Sequence, residues 1–310
     1  MTIITNTLIP IILIIITGYT AIKLRYFPSG GVGSLLYFVN NFATPCLLFY
    51  SIIRTDLSST YNVNVIVSFY VSAILCFIIG IFFSRNILKT PPEESVSTGF
   101  ASAFTNTVLM GLPILTLAFG TDALPITLSI IGLHAAILLT IGILTMEFVV
   151  HGRNNVSKTI QLSIRRIFSN PLIWGISFGL MGSLSGISLY QPLDIFFSMM
   201  AAAVVPVSLF GLGGALAGYR LQEDWQTAAV ASVIKLILHP FLAYVLMVVI
   251  LKVPLETARY GILLAAMPSG INVFIYAAIY NTGTGIAATT ILMSTLCSFV
   301  TISFWLFALS

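Results

Sequence analysis

The chain has 310 residues, of which 58% are hydrophobic and only 7% are charged, and its mean hydropathy is +1.06. Soluble domains carry about 25% charged residues, so this composition excludes a soluble globular fold and indicates a polytopic membrane protein. The formal charge is +4, and the basic residues that produce it lie mostly in short loops, where they determine membrane topology. We therefore do not expect nucleic acid as a partner.

Ten apolar segments are long enough to form membrane-spanning helices, which need roughly 20 mostly apolar residues. In chain order they are 3–22, 34–53, 64–84, 97–118, 123–150, 171–188, 193–218, 227–251, 256–280 and 283–308. The longest connection, 151–170, divides them five and five. We therefore predict an all-α integral membrane protein with a five-helix repeat in 1–150, a connecting loop in 151–170 and a second five-helix repeat in 171–310.

Lysine and arginine residues are distributed unevenly between the two sides of these spans. With the N-terminus outside, nine face the cytoplasm and three the outside, while Lys235 lies within a span. The nine are Lys23, Arg25, Arg85, Lys89, Arg153, Lys158, Arg165, Arg166 and Arg220, and the three are Arg54, Lys252 and Arg259. This distribution predicts that both termini are outside and that loop 151–170 is cytoplasmic. An odd number of spans in each half makes the two halves inverted repeats.

Pro113 and Pro268 lie inside two apolar segments, at matching places in the two halves. Proline removes a backbone donor and clashes with the preceding turn, so we predict that the fourth and ninth spans break at these residues. A matched pair of interrupted spans is typical of a transporter binding site. Asn106, Ser269 and Asn272 lie close by in sequence and are predicted to hydrogen-bond a substrate. Packing kinks, capped by the same polar side chains, are the alternative.

Four ionisable side chains lie inside predicted spans, where such residues are costly and usually functional: His134, Glu147, Lys235 and His239. Lys235 and His239 are four residues apart and share a helix face. Lys235 is predicted to compensate the charge of an anionic substrate, unless it reaches the interface by snorkelling. His134 and His239 are candidate proton carriers, with a structural histidine as the alternative at 134. Glu147 is predicted to be interfacial.

Asp56, Asp122, Asp194 and Asp224 all fall at span ends or in loops, so no aspartate lies in the interior of a predicted span. This weakens the case for proton coupling, but a sodium site made of carbonyls and hydroxyls would leave little trace in sequence. The coupling ion is therefore open between Na⁺ and H⁺, and no other cofactor and no bound metal is predicted. The sequence has no HExxH motif and no phosphate-binding glycine loop, so neither an enzyme nor an ATP-driven pump is predicted.

Several short segments resemble the auxin efflux carrier family, in the same order and over essentially the whole chain. They are 40–49 (NNFATPCLLF), 111–113 (GLP), 235–240 (KLILHP), 266–268 (AMP) and Ser294-Thr295. The resemblance adds Asn41 and Gly111 to the predicted substrate-binding residues. Plant carriers have Asn-Pro-Asn where this chain has Gly-Leu-Pro, which argues against auxin as the substrate. Bacterial relatives are associated with carboxylates such as malate and malonate, which Lys235 would suit.

The resemblance implies a ten-helix inverted-repeat fold similar to bile-acid symporters and sodium–proton antiporters. It implies a dimerising scaffold of 3–53 and 171–218, and a mobile transport core of 64–150 and 227–308. Spans four and nine would cross at Pro113 and Pro268, and transport would be elevator-like.

We therefore predict a secondary active transporter of a small organic anion, surrounded by the lipid of the cell membrane and assembled as a homodimer through its scaffold helices. The substrate would bind where spans four and nine cross. A membrane sensor or receptor that binds the same type of ligand without moving it is the alternative. An attached signalling domain would discriminate the two, and the sequence contains no recognisable one.

Overall fold

The computed structural model describes residues 2–54, 62–151, 171–186, 189–218 and 225–309. Within these ranges the regular structure is entirely helical, as predicted. In chain order the α-helices are α1 Thr2–Lys23, α2 Ser29–Phe38, α3 Thr44–Ile53, α4 Val63–Phe82, α5 Pro92–Ala103, α6 Leu112–Phe119, α7 Leu124–His151, α8 Pro171–Leu184, α9 Gln191–Leu216, α10 Trp225–Val233, α11 His239–Tyr244, α12 Leu255–Ala265, α13 Asn272–Ile279 and α14 Thr284–Ala308.

Seven stretches of the described residues are long and apolar enough to cross a membrane, which supports an integral membrane protein. They are Asn6–Lys23, Gly30–Ile53, Val63–Ile87, Thr107–Val150, Gln191–Leu216, Trp225–Ile250 and Thr284–Ala308. The prediction of ten spans exceeds this number because interruptions shorten the helices in 97–118 and 256–280, and α8 is short. Most of the predicted loop 151–170 lies outside the described residues.

The chain divides into two compact units. The first unit comprises Met1–Asn62, Val108–Leu133 and Arg166–Gly218, and the second comprises Val63–Thr107, His134–Arg165 and Tyr219–Ser310. Segment 108–133 therefore belongs to the first unit, although the family resemblance implies that it is part of the transport core with the rest of 64–150.

Helices of the first unit approach one another closely at glycines. A Cβ added at Gly175 of α8 would lie 2.5 Å from the Pro45 carbonyl oxygen of α3, and one added at Gly213 of α9 would collide with the Ile15 carbonyl of α1. Lipid tails are as apolar as the helix surfaces, so close backbone packing replaces the hydrophobic effect as the source of helix association. The glycines of α8 have this role, since Gly175, Gly179 and Gly182 are all buried.

The second unit is built around α5, whose residues from Ser95 to Ala103 are all buried. Two of its hydroxyls donate to carbonyls of the same helix, Thr98 to Glu94 at 2.8 Å and Ser102 to Thr98 at 2.9 Å, while the Ser97 hydroxyl donates to the Thr282 carbonyl at 3.3 Å. The Phe100 ring stacks on Tyr276 of α13 at a centroid distance of 4.2 Å. The Tyr276 hydroxyl donates to the Gly142 carbonyl of α7 at 2.7 Å. These contacts hold α5, α7 and α13 together.

The interruptions of the two apolar segments do not both fall at proline. Pro268 lies between α12 and α13, as predicted, but the other break falls at 104–106 and Pro113 lies near the start of α6. The prediction of a break at Pro113 is therefore wrong. The backbone before Pro113 is already helical, and a wider, π-helical turn accommodates the donor that the proline lacks. A π-helical turn, Thr107–Gly111, joins the break to α6.

Candidate functional site

Two extended segments of the second unit pair with each other where helices are interrupted. The Asn106 N–H donates to the Pro268 carbonyl oxygen at 2.8 Å, and the Gly270 N–H donates to the Phe104 carbonyl oxygen at 3.0 Å. The central residues of the two segments form an antiparallel bridge. Backbone groups released from a helix in an apolar environment need partners inside the protein, and each break supplies them to the other. We call residues 104–106 and 268–270 the crossing.

Ser269 ties the crossing to two helices. Its hydroxyl donates to the Ala101 carbonyl oxygen at 2.7 Å, and its N–H donates to the Ser294 hydroxyl of α14 at 3.1 Å. In an unbroken helix the Ala101 carbonyl would receive the N–H of Thr105, which instead donates to His134. Ser269 therefore replaces a lost helical hydrogen bond, and its hydroxyl hydrogen is already engaged.

His134 accepts a hydrogen bond from the crossing. The Thr105 N–H donates to its Nε2 atom at 3.0 Å, and the side chain is buried. A nitrogen that accepts from an amide carries no hydrogen, so the neutral ring must carry its hydrogen on Nδ1. The Nδ1 atom is buried without a hydrogen-bond partner among the described residues. His134 thus presents an unused N–H donor beside the crossing.

Other buried polar atoms of this unit also lack a hydrogen-bond partner in the described part of the chain. They include the side-chain nitrogen of Asn106 and the hydroxyls of Ser68, Thr290 and Thr295. Asn106 belongs to the crossing and is only 4% exposed. Thr290 lies one helical turn before Ser294, on the same face of α14. Asn272, the first residue of α13, is half-buried.

Lys235 is 0% exposed and contacts the end of the interrupted helix α12. Its Nζ atom donates to the Ala265 carbonyl oxygen at 2.7 Å. Other carbonyls of that helix end already have backbone donors, from Ala266 and Met267. The negative end of the helix dipole favours a cation there. Among the described residues, no carboxylate forms an ion pair with Lys235. Snorkelling to the interface is not observed.

His239 completes the environment of Lys235. Its Nδ1 atom lies 2.9 Å from Lys235 Nζ, and its Nε2 atom is buried without a hydrogen-bond partner among the described residues. The two residues are four apart and share a helix face, and a π-helical turn, Ile234–Leu238, precedes Pro240 in this segment. Such wide turns occur frequently at functional sites, and the proline explains why the helix cannot close normally here.

Three of the predicted site residues, Asn41, Gly111 and Pro113, belong to the first unit. The Asn41 amide donates to the Tyr37 carbonyl oxygen at 2.9 Å and borders an apolar groove of about 720 Å³ between α3 and α8. Gly111 and Pro113 are buried. The other seven predicted residues belong to the second unit: Asn106, His134, Lys235, His239, Pro268, Ser269 and Asn272.

Two residues beside the candidate site, Phe69 and Thr290, are not among those that the sequence patterns predicted. Phe69 of α4 packs against both histidines, with ring centroids 5.8 Å from His134 and 5.3 Å from His239. No local signal marks Phe69 among the apolar residues of its span. Thr290 could have been found, because Thr290, Ser294 and Ser298 recur every four residues and so share a face of α14.

A family model described as membrane transport protein matches residues 3–306 of the chain. A Rhizobium meliloti protein named "Putative malonate transporter" is 29% identical over 306 residues, covering 97% of this chain and 94% of the relative.

Two further relatives are described as uncharacterized transporters. The one from Methanothermobacter thermautotrophicus is 24% identical, with 97% of each chain covered. The other, YfdV of Escherichia coli K12, is 23% identical over 97% of this chain and 96% of its own. The similarity therefore extends over nearly the full length of each protein.

Proposed function

Because the chain belongs to the auxin efflux carrier family of membrane transport proteins, we propose that it is a secondary active transporter of a small carboxylate. The carboxylate would bind beside the crossing in the second unit. Lys235 would balance its charge, and Asn106 and His134 would donate hydrogen bonds to it.

The observation that carries this proposal is the environment of Lys235. A buried ammonium without a counter-charge is strongly unfavourable, because burial removes its hydration. Its neighbours at hydrogen-bonding distance are uncharged: the Ala265 carbonyl and His239. An anion bound nearby would provide the missing counter-charge, and an ionisable residue within a membrane span is usually functional.

The unused hydrogen-bond donors also suit an anion. Asn106 belongs to the crossing and the His134 ring accepts the Thr105 N–H, and each of the two keeps a buried side-chain nitrogen without a partner among the described residues. An anion accepts hydrogen bonds, so it would satisfy both groups. Asn272 and the hydroxyls of Thr290 and Thr295 would serve the remainder of the ligand. The name of the Rhizobium meliloti relative supports malonate as the first compound to examine.

The mechanism that we propose is elevator-like alternating access. Interrupted helices at membrane depth are typical of carriers built from inverted repeats, and the division of the chain into two compact units supports a scaffold and a transport core. Ten spans, external termini, a cytoplasmic loop 151–170 and a homodimer formed through the first unit complete this proposal. Gly111, Pro113 and Asn41 would then shape the scaffold and the helix that follows the crossing, rather than contact the anion.

Thermal unfolding of the purified protein tests the binding part of the proposal. A ligand that binds the native state raises the unfolding temperature by mass action, so malonate or malate should stabilise the protein. Lys235→Met should weaken malonate affinity by about 30-fold or more, which corresponds to about 2 kcal/mol for the loss of a buried charge partner. Lys23→Met, at an exposed lysine of α1, is the matched control and should bind normally. Equal affinities in the two variants would contradict the proposed site.

A further inference from the structure

Lys235 and His239 form a buried pair of bases joined by one hydrogen bond. Lys235 Nζ and His239 Nδ1 are 2.9 Å apart, and both side chains are 0% exposed. Lys235 Nζ also donates to the Ala265 carbonyl oxygen at the end of α12. His239 Nε2, on the far side of the ring, has no hydrogen-bond partner among the described residues.

In the part of the chain that the structure describes, few titratable groups surround this pair. Cys76 of α4 and His134 of α7 are its electrostatic neighbours, and Tyr70 of α4 packs against His134. The other titratable side chains on the helices around the pair are not among its neighbours. Glu93 and Glu94 lie in the first turn of α5, and Glu256 lies in the first turn of α12. Arg259 contacts Tyr260, Tyr244 contacts Trp305, and Cys297 is exposed. Among the described residues, no carboxylate forms a salt bridge with Lys235 or His239.

The pair can hold one proton or none. Two positive charges at 2.9 Å without a counter-ion would repel each other strongly, so Lys235 and His239 are not both charged. With one proton, the ammonium donates to Ala265 and to Nδ1, and the ring hydrogen is on Nε2. Without it, the amine still donates to Ala265 and accepts from Nδ1–H, because neutral imidazole can carry its hydrogen on either nitrogen. Both forms therefore keep both hydrogen bonds.

We propose that the Lys235–His239 pair is the binding site of the coupling proton, and that the protein takes up one proton with each carboxylate. The inference rests on the proposed function, because the bound anion is what favours the charged form of the pair. The bound anion raises the proton affinity of the pair by some factor. By linkage, protonation of the pair raises the affinity for the anion by that same factor. A coupling Na⁺ could bind the free carbonyls at the end of a half-helix. Here the Ala265 carbonyl already accepts a hydrogen bond from Lys235, which favours a proton over Na⁺ at this position.

His134 is excluded as the coupling group by its own hydrogen bond. Protonation of Nε2 would place a hydrogen against the Thr105 N–H, which donates to that atom. The ring therefore stays neutral while the crossing is intact. Of the two histidines proposed as proton carriers, only His239 can move its hydrogen from one ring nitrogen to the other and still keep its hydrogen bond to Lys235.

Calorimetric titration with malonate, in two buffers of different ionisation enthalpy, measures the protons taken up per bound anion. The titrations are made at alkaline pH, where malonate itself is fully ionised. We expect the wild-type protein to take up about one proton, since the pair titrates as a unit. Lys235→Arg should bind malonate with no proton uptake, because guanidinium keeps its charge. Lys23→Arg should match the wild type.

A second variant keeps the test independent of whether Lys235→Arg folds. His239→Phe preserves the ring contact with Phe69 and removes the hydrogen bond to the ammonium. Charge-assisted hydrogen bonds are stronger than neutral ones, so the charged form loses more, and half-maximal proton uptake should move to lower pH. An unchanged pH dependence in this variant would overturn the inference.

Malonate binding by the wild type without proton uptake would overturn the inference and leave the proposed function standing. Proton uptake by Lys235→Arg equal to that of the wild type would do the same. Failure of the wild type to bind malonate and malate would instead overturn the proposed function, and the inference with it.

Discussion

The Ser269 hydroxyl donates to the carbonyl oxygen of Ala101, a residue 168 positions earlier in the chain. That carbonyl is left without its helical donor because α5 ends at Ala103 and the Thr105 N–H turns to His134. The hydrogen bond shows how the interrupted helices compensate each other. Each break releases backbone groups, and the partners come from the other break and from side chains on neighbouring helices.

Ser269→Ala should lower the free energy of unfolding by about 1–3 kcal/mol, because it leaves the buried Ala101 carbonyl without this donor. Thermal or denaturant unfolding in detergent measures the change. Ser102→Ala is the matched control, since its hydroxyl bonds only a carbonyl of its own helix, and it should cost about 1 kcal/mol or less. Equal losses in the two variants would show that Ser269 does not secure the crossing.

Pro268 and Pro113 should differ sharply on replacement by alanine. An alanine at 268 has an N–H that can bond the Leu264 carbonyl and extend α12 into the crossing, so Pro268→Ala should weaken malonate binding by about tenfold or more. Pro113→Ala should leave binding within about twofold, because residue 113 lies inside a continuous helical segment that alanine maintains. The ligand-induced shift of the unfolding temperature measures both. Similar losses in both variants would support the view that the two prolines have equivalent roles.

The hydrogen on the His134 ring should be on Nδ1. Nitrogen NMR of histidine-labelled protein distinguishes a protonated from an unprotonated ring nitrogen, and assignment follows from loss of the signal in His134→Gln. We expect unprotonated Nε2 across the pH range in which the protein stays folded, because that atom accepts the Thr105 N–H. A signal for Nε2–H at neutral pH would contradict the assigned hydrogen bond.

Gly213→Ala should destabilise the first unit by about 1–3 kcal/mol, since the added methyl would collide with the Ile15 backbone rather than with a movable side chain. Gly33→Ala is its control. Gly33 lies in α2, is exposed and has no neighbour within 4 Å of an added Cβ, so alanine there should be neutral or stabilising by up to about 1 kcal/mol. The unfolding temperatures of the two variants measure the difference. An unchanged unfolding temperature in Gly213→Ala would contradict the close packing of α1 and α9.

Sequence patterns predicted the features that depend on local chemistry. Apolar length identified an all-helical membrane protein, and the four-residue spacing of Lys235 and His239 predicted that they share a face. Pro268 correctly indicated an interruption, because no donor is available at that residue to continue the helix.

Features that depend on tertiary contacts were not predictable in this way. The break at 104–106 contains no proline or glycine, and it persists because Pro268, Ser269 and His134 supply the partners that its backbone and the end of α5 lack. Phe69 joins the histidines only through the packing of α4 against other helices. The direction of the Ser269 hydroxyl, likewise, follows from a residue far away in sequence.

Uptake of labelled malonate into proteoliposomes tests the central claim most directly. With an inward proton gradient, we predict accumulation by the wild-type protein and by Lys23→Met, and none by Lys235→Met that remains folded. Binding of malonate without uptake under any imposed gradient would contradict transport and favour a membrane sensor. Undiminished uptake by Lys235→Met would contradict the role of the buried lysine.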